Sequence, residues 1–163
     1  MPYDPARWHD FAGTFAGAAG ALLGLAFVAI SFNLDAILRY KTLPGRAVET
    51  LAFFAYPLAG GLLILLPGLS DTALGIGQAI LAAGLAGLIA LGVRRWKQQQ
   101  GDPLSWRLSH IVPPIVTTVL ALVGAAATIS VSFGGLYWLA GAMAVAATCG
   151  ITNSWVLLVE IKR

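Results

Sequence analysis

Residues 19–39 read AGALLGLAFVAISFNLDAILR, an apolar run padded with glycine that closes on Ser31, Asn33 and Asp35. Followed back to Phe11, the run covers residues 11–34 without one charged side chain. About 20 apolar residues in a helix cross a hydrocarbon core of roughly 30 Å, so this stretch predicts a membrane span. Four further segments reach that length, at about 47–69, 73–93, 111–133 and 136–159. Backbone groups in lipid must be satisfied inside their own segment, which makes each of the runs a helix. The expected fold is a single all-α, polytopic transmembrane helix bundle of about five spans, filling residues 1–163.

Composition points the same way. Hydrophobic residues make up 58% of the 163 and charged ones 10%, against roughly 25% charged in a soluble domain, too few to cover the chain in water. The lone cysteine, Cys149, excludes an intramolecular disulfide and multi-cysteine metal sites. The net charge of +3 comes from short basic clusters between the apolar runs. These are topology signals, and no nucleic-acid partner is expected.

With five spans, Arg39, Lys41 and Arg46, then Arg94, Arg95, Lys97 and Arg107, then Lys162 and Arg163 all fall on one side, nine of the ten basic residues. That side is read as cytoplasmic, which puts the N-terminus outside and the C-terminus in the cytoplasm. The opening MPYDPARWHD lacks the basic region of a cleaved signal, so the first helix is expected to be kept. Tyr3, Trp8, Tyr137 and Trp138 fall at the outer ends and Trp96, Trp106 and Trp155 at the inner ones, as interfacial aromatics do. Arg94, Arg95, Trp96, Lys97, Trp106 and Arg107 then form a lipid-interface loop attracted to anionic headgroups.

Prolines and glycines divide the runs. Pro57 and Pro67 lie in the second span and Pro113 and Pro114 in the fourth, where bends or ends are expected. PGLSDT (67–72) and FGG (133–135) are the tight turns, with glycine free to adopt left-handed conformations. Spans two and three, and again four and five, read as two similar hairpins.

The end of the first span has two readings. The 24 residues between Asp10 and Asp35 would extend about 36 Å as a helix, which puts Asp35 at the inner headgroups as a boundary marker. By helical angle, however, Gly13, Gly17, Gly20 and Gly24 form a stripe that continues into Ser31 and Asp35, with Asn33 on the opposite side. Glycines at this spacing let another helix approach closely, so the stripe is read as a packing seam within or between subunits. A second stripe on the fourth span contains His110, Pro114, Thr117, Ala121, Gly124, Thr128 and Ser132. It is either a packed face, with hydroxyls bonded to carbonyls one turn back, or the lining of a polar path. Asp35, Glu49, His110 and Glu160 would stand at its inner mouth. Asn153 and Gln78 are expected to bond between helices.

No motif of hydrolysis, phosphate binding or metal ligation is present. GIGQAI (75–80) lacks the third glycine of a dinucleotide loop and lies within a span. Neither catalysis, a cofactor nor a metal is expected. Phe27, Val28, Ala29, Ser31, Asn33 and Leu34 follow a glycine-rich helix in a pattern F-V-A-x-S-x-N-L. Across about one helix this resembles a family of small, uncharacterised bacterial inner-membrane proteins. The resemblance implies a bacterial inner-membrane setting and carries no activity with it.

Two functions fit these observations. One is a noncatalytic accessory or regulatory membrane subunit that packs against itself or a larger membrane protein. The other is a homo-oligomeric channel or transporter for an ion or small solute, lined by the fourth span. The first is preferred because the middle of every span is almost wholly apolar.

Overall fold

A computed structural model describes the backbone of residues 5–40, 43–96, 104–132 and 134–161, with side chains for 7–40, 43–91, 112–132 and 134–159. All regular structure among these residues is helical. After a single 3-10 turn (Pro5–Trp8) come α1 (His9–Phe32), α2 (Leu34–Arg39), α3 (Leu43–Leu65), α4 (Asp71–Trp96), α5 (Leu104–Ile129) and α6 (Gly135–Ile161). All except α2 contain a stretch long and apolar enough to cross a membrane. Helix α3 starts at Leu43 rather than near residue 47, which brings Arg46 into its first turns. The prolines at 57, 113 and 114 lie inside helices, whereas Pro67 lies in the turn after α3.

Helices α3, α4, α5 and α6 pack in a ring, each against the next, and α6 returns to α3. Helix α1 lies outside this ring and packs chiefly on α3. At its start, Trp8 meets the edge of Tyr137 with ring centroids 4.7 Å apart. The ring encloses the main core, built from residues such as Tyr56, Leu74, Leu139 and Met143.

Local chemistry accounts for the ends of the helices. The Ala73 N–H donates to Ser70 Oγ at 3.2 Å, and Asp71 places a carboxylate at the positive end of the α4 dipole. Gly68 takes the left-handed conformation expected of the turn between α3 and α4, with φ of +72°. The turn between α5 and α6 meets the same expectation at Gly134 and adds a second left-handed residue, Val131, with φ of +50°. Ser132 N–H donates to Ala127 O and Val131 N–H to Thr128 O, the two bonds that close a helix in a Schellman motif. A β-branched residue thus occupies a position that glycine would take without the roughly 1–2 kcal/mol penalty of left-handed backbone.

Asn33 breaks the first helix. Its side-chain Nδ2 donates to Ala29 O at 2.8 Å, and its φ of −110° and ψ of 16° leave the helical region. The chain resumes at once as α2, with Asp35 in the first turn.

Candidate functional site

The C-terminal end of α1 is where Ser31, Asn33 and Asp35 lie. Ser31 Oγ donates to Phe27 O at 2.8 Å, so its hydroxyl is satisfied within its own helix. Ser31 and Asp35 are exposed, and Asn33 is the half-buried member. Within this one chain, then, Ser31 and Asp35 lie off the buried faces of α1 and α2. The buried face of α1 is the line Ala12, Ala16 and Ala19, about 100° around the helix from the glycine stripe. At this face a Cβ placed on Gly61 of α3 would lie 2.9 Å from Ala16 Cβ and 3.0 Å from Ala12 O. Alanine on α1 and glycine on α3 thus create the close approach. Gly13 and Gly20 graze Leu65 and Leu58 at the flank of this contact, while nothing stands within 4 Å of a Cβ on Gly17 or Gly24.

The polar stripe on α5 is packed. Thr117 is fully buried and donates to Pro113 O at 3.0 Å, and Thr128 donates to Gly124 O at 2.8 Å. Gly124 sits against Leu139 and Gly135 against Thr128, so α6 covers the stripe. Thr117 and Thr128 do not line an open path within the chain, because their hydroxyl protons are committed to α5 carbonyls and a neighbouring helix fills the space. Of the inner-mouth residues, Asp35 lies exposed on α2 and Glu49 half-buried on α3, while the side chains of His110 and Glu160 lie outside the described residues. Arg94, Arg95, Trp96, Lys97, Trp106 and Arg107, assigned to the lipid interface, are outside them too.

Arg46 and Gln78 are the polar side chains whose burial matters most. Arg46 is 1% exposed, packed near Leu43 and Ala47 at the start of α3, and its charge attracts Glu49 one turn along. Counting it among surface charges for topology hid this. The Pro44-Gly45 pair immediately before it was the available signal, since proline favours the first turn of a helix.

Gln78 of α4 is completely buried, and its Nε2 donates to Gly60 O of α3 at 2.9 Å, the expected bond between helices. Its Oε1 has no hydrogen-bond partner among the described residues. The Gly60 carbonyl also receives an N–H from its own helix, so replacing Gln78 leaves no new orphan. We expect Gln78→Met to raise stability by about 1 kcal/mol, since removing an unsatisfied buried oxygen outweighs a helix–helix bond of roughly 0.6 kcal/mol. Thermal unfolding in detergent micelles checks the sign, and a loss of stability would mean that Oε1 accepts a donor from a buried water.

Among the described residues, two crevices are lined on the bundle. The smaller, about 50 Å³, lies between α1, α2, α3 and α6 and is lined by residues including Asn33, Ile37, Thr50 and Leu157. The larger, about 220 Å³, lies between α5 and α6 over the ring of Phe53 from α3. Pro113 and Pro114 form one wall, and Thr148, Cys149, Thr152 and Asn153 form the other. Asn153, expected to bond to a neighbouring helix, instead lines this crevice and makes no side-chain hydrogen bond among the described residues.

Comparison with known proteins adds no likeness: no family model, no curated protein and no solved structure matches the chain.

Proposed function

We propose that the chain is a noncatalytic, multi-pass protein of a bacterial inner membrane, an accessory or regulatory subunit that packs through α1 into a larger membrane complex. One observation carries this reading: α1 lies outside the ring and leaves Gly17 and Gly24 facing open space. A glycine inside a helix costs about 0.8–1.0 kcal/mol relative to alanine. Gly61, by comparison, lets Ala12 and Ala16 come close, whereas Gly17 and Gly24 gain no such contact within the chain. A helix from another protein, lying along this groove, would supply it. The N-terminus then faces outward, and the basic inner loops meet anionic headgroups at about 1 kcal/mol per basic residue near the surface. The packed state of Thr117 and Thr128 weighs against a conduit lined by α5.

Native mass spectrometry of the protein, gently extracted from its own membrane, tests the proposal. We expect a stoichiometric complex with a different, larger membrane protein. The pair Gly17→Leu and Gly24→Leu is expected to weaken that complex at least about tenfold, equivalent to 1.4 kcal/mol, while the isolated chain unfolds as before. A monomer alone, or a closed ring of identical copies, overturns the accessory role.

A further inference from the structure

The crevice between α5 and α6 has an unusual balance of hydrogen-bonding groups. Thr148 and Thr152 are exposed at its mouth, Cys149 and Asn153 are half-buried along its wall, and Phe53 and Pro114 are buried at its floor. Thr148 Oγ1 donates to Ala144 O and Thr152 Oγ1 to Thr148 O, both at 2.9 Å. Their protons are therefore used, and each hydroxyl faces a ligand only as an acceptor. Across the crevice, Pro113 and Pro114 have no N–H to give to the helix carbonyls of residues 109 and 110. Among the described lining residues the Asn153 amide is the strong free donor, beside the weak Cys149 S–H, and it also brings an acceptor of its own. No described lining residue is charged.

These groups select among the molecules that dissolve in a membrane. Among the described lining residues a phospholipid phosphate would meet no cation. A quinone or a fully esterified lipid brings only acceptors, so it can meet the Asn153 amide but none of the acceptor oxygens of Thr148, Thr152 and Asn153. A molecule with a free hydroxyl beside an ester carbonyl satisfies both sides: its O–H donates to the Asn153 or threonine oxygens, and its carbonyl accepts from the Asn153 amide. Depth agrees with this on the multi-pass reading. Asn153 lies eight residues before the end of α6 at Ile161, or about 12 Å along the helix, below the level of the phosphates and within reach of a glycerol backbone that has no charged headgroup.

We propose that this crevice is a binding site for an uncharged glycerolipid with one free hydroxyl, of the diacylglycerol class, whose ester-hydroxyl region lies against Asn153, Thr152 and Phe53 while its chains run out past Thr148 into the bilayer. The site is independent of the complex proposed above, because it is on α5 and α6 rather than α1.

The test uses the full chain in phosphatidylcholine nanodiscs, with dioleoylglycerol carrying a diazirine near the ester of one chain. Irradiation is expected to mark α6 around residues 148–153. Unlabelled dioleoylglycerol at nine-tenths occupancy is expected to reduce that mark about tenfold by mass action. Its O-methyl ether, which keeps the shape and loses the donor, and a short-chain quinone are expected to leave the mark nearly unchanged. In Asn153→Leu the difference between alcohol and ether is expected to shrink. Equal competition by alcohol and ether, competition by the quinone, or marks distributed over all lipid-facing helices would overturn the assignment. The alcohol-against-ether comparison is made on the unmodified protein, so it decides the matter even if Asn153→Leu does not fold.

Discussion

Arg46→Ala is expected to lower the stability of the bundle by about 3–5 kcal/mol, the usual cost of removing one member of a buried charged set. Arg46 is 1% exposed, among the largest fully buried side chains of the chain. It lies in the first turns of α3, where its neighbours Leu43 and Ala47 join Ile37 of α2 and Leu157 of α6 in a small core. Truncation removes both its volume and the cation that attracts the half-buried Glu49. The two contributions separate in a double-mutant cycle. Arg46→Met keeps most of the volume, and combining it with Glu49→Gln is expected to cost at least about 1 kcal/mol less than the sum of the single changes. Unfolding in mixed micelles, followed by helix content, supplies the four stabilities. Full additivity would mean that Arg46 acts by packing alone, and a loss under 1 kcal/mol for Arg46→Ala would mean that water reaches the guanidinium.

Gly75→Val is expected to cost about 3 kcal/mol, at the upper end of overpacking in a tight core. A Cβ at Gly75 would run into the Ile129 side chain and stand 2.8 Å from the carbonyl oxygen of Ala125, where α4 and α5 come together. A side chain can rotate away, but a backbone carbonyl moves only with its helix. Gly75→Val therefore pushes α4 off α5 and strains the turns that adjoin them. Gly84→Ala on the same helix is the control. Nothing stands within 4 Å of its Cβ, so this change is expected to be neutral or to gain up to about 1 kcal/mol in helix propensity. Thermal unfolding of the two variants side by side measures the contrast, and equal effects would show that α4 and α5 are not in close contact at Gly75.

These two residues also mark where sequence reasoning stops. GIGQAI lacks the third glycine of a dinucleotide loop, and nothing in its spacing shows that Gly75 meets α5 while Gly77 meets Leu63 of α3. Arg46 was counted as a loop charge because charge near a span end is ordinarily at the surface, and only the earlier start of α3 draws it inward. The glycine stripe of α1 was legible as a stripe. Its partner was not, since the alanine line beside it is equally small and equally periodic. Asn153 and Gln78 had the same expectation from sequence, a bond to a neighbouring helix. Gln78 meets it at Gly60, and Asn153 lines a crevice instead.

The sequence by itself determined the number of long apolar helices, their approximate limits and the residues that interrupt them. Those features depend on local quantities: the length of an apolar run, the missing N–H of proline, the left-handed freedom of Gly68 and Gly134. Only the tertiary structure decided which faces meet, that α1 stays outside a ring of four, that Thr117 and Thr128 are covered, and that Arg46 is buried while Asp35 is exposed. The physical reason is that in a chain this apolar every helix face is greasy, so hydrophobic patterning does not distinguish core from lipid. The choice falls to close packing, where one missing Cβ at Gly61, Gly75 or Gly124 decides how near two backbones can come.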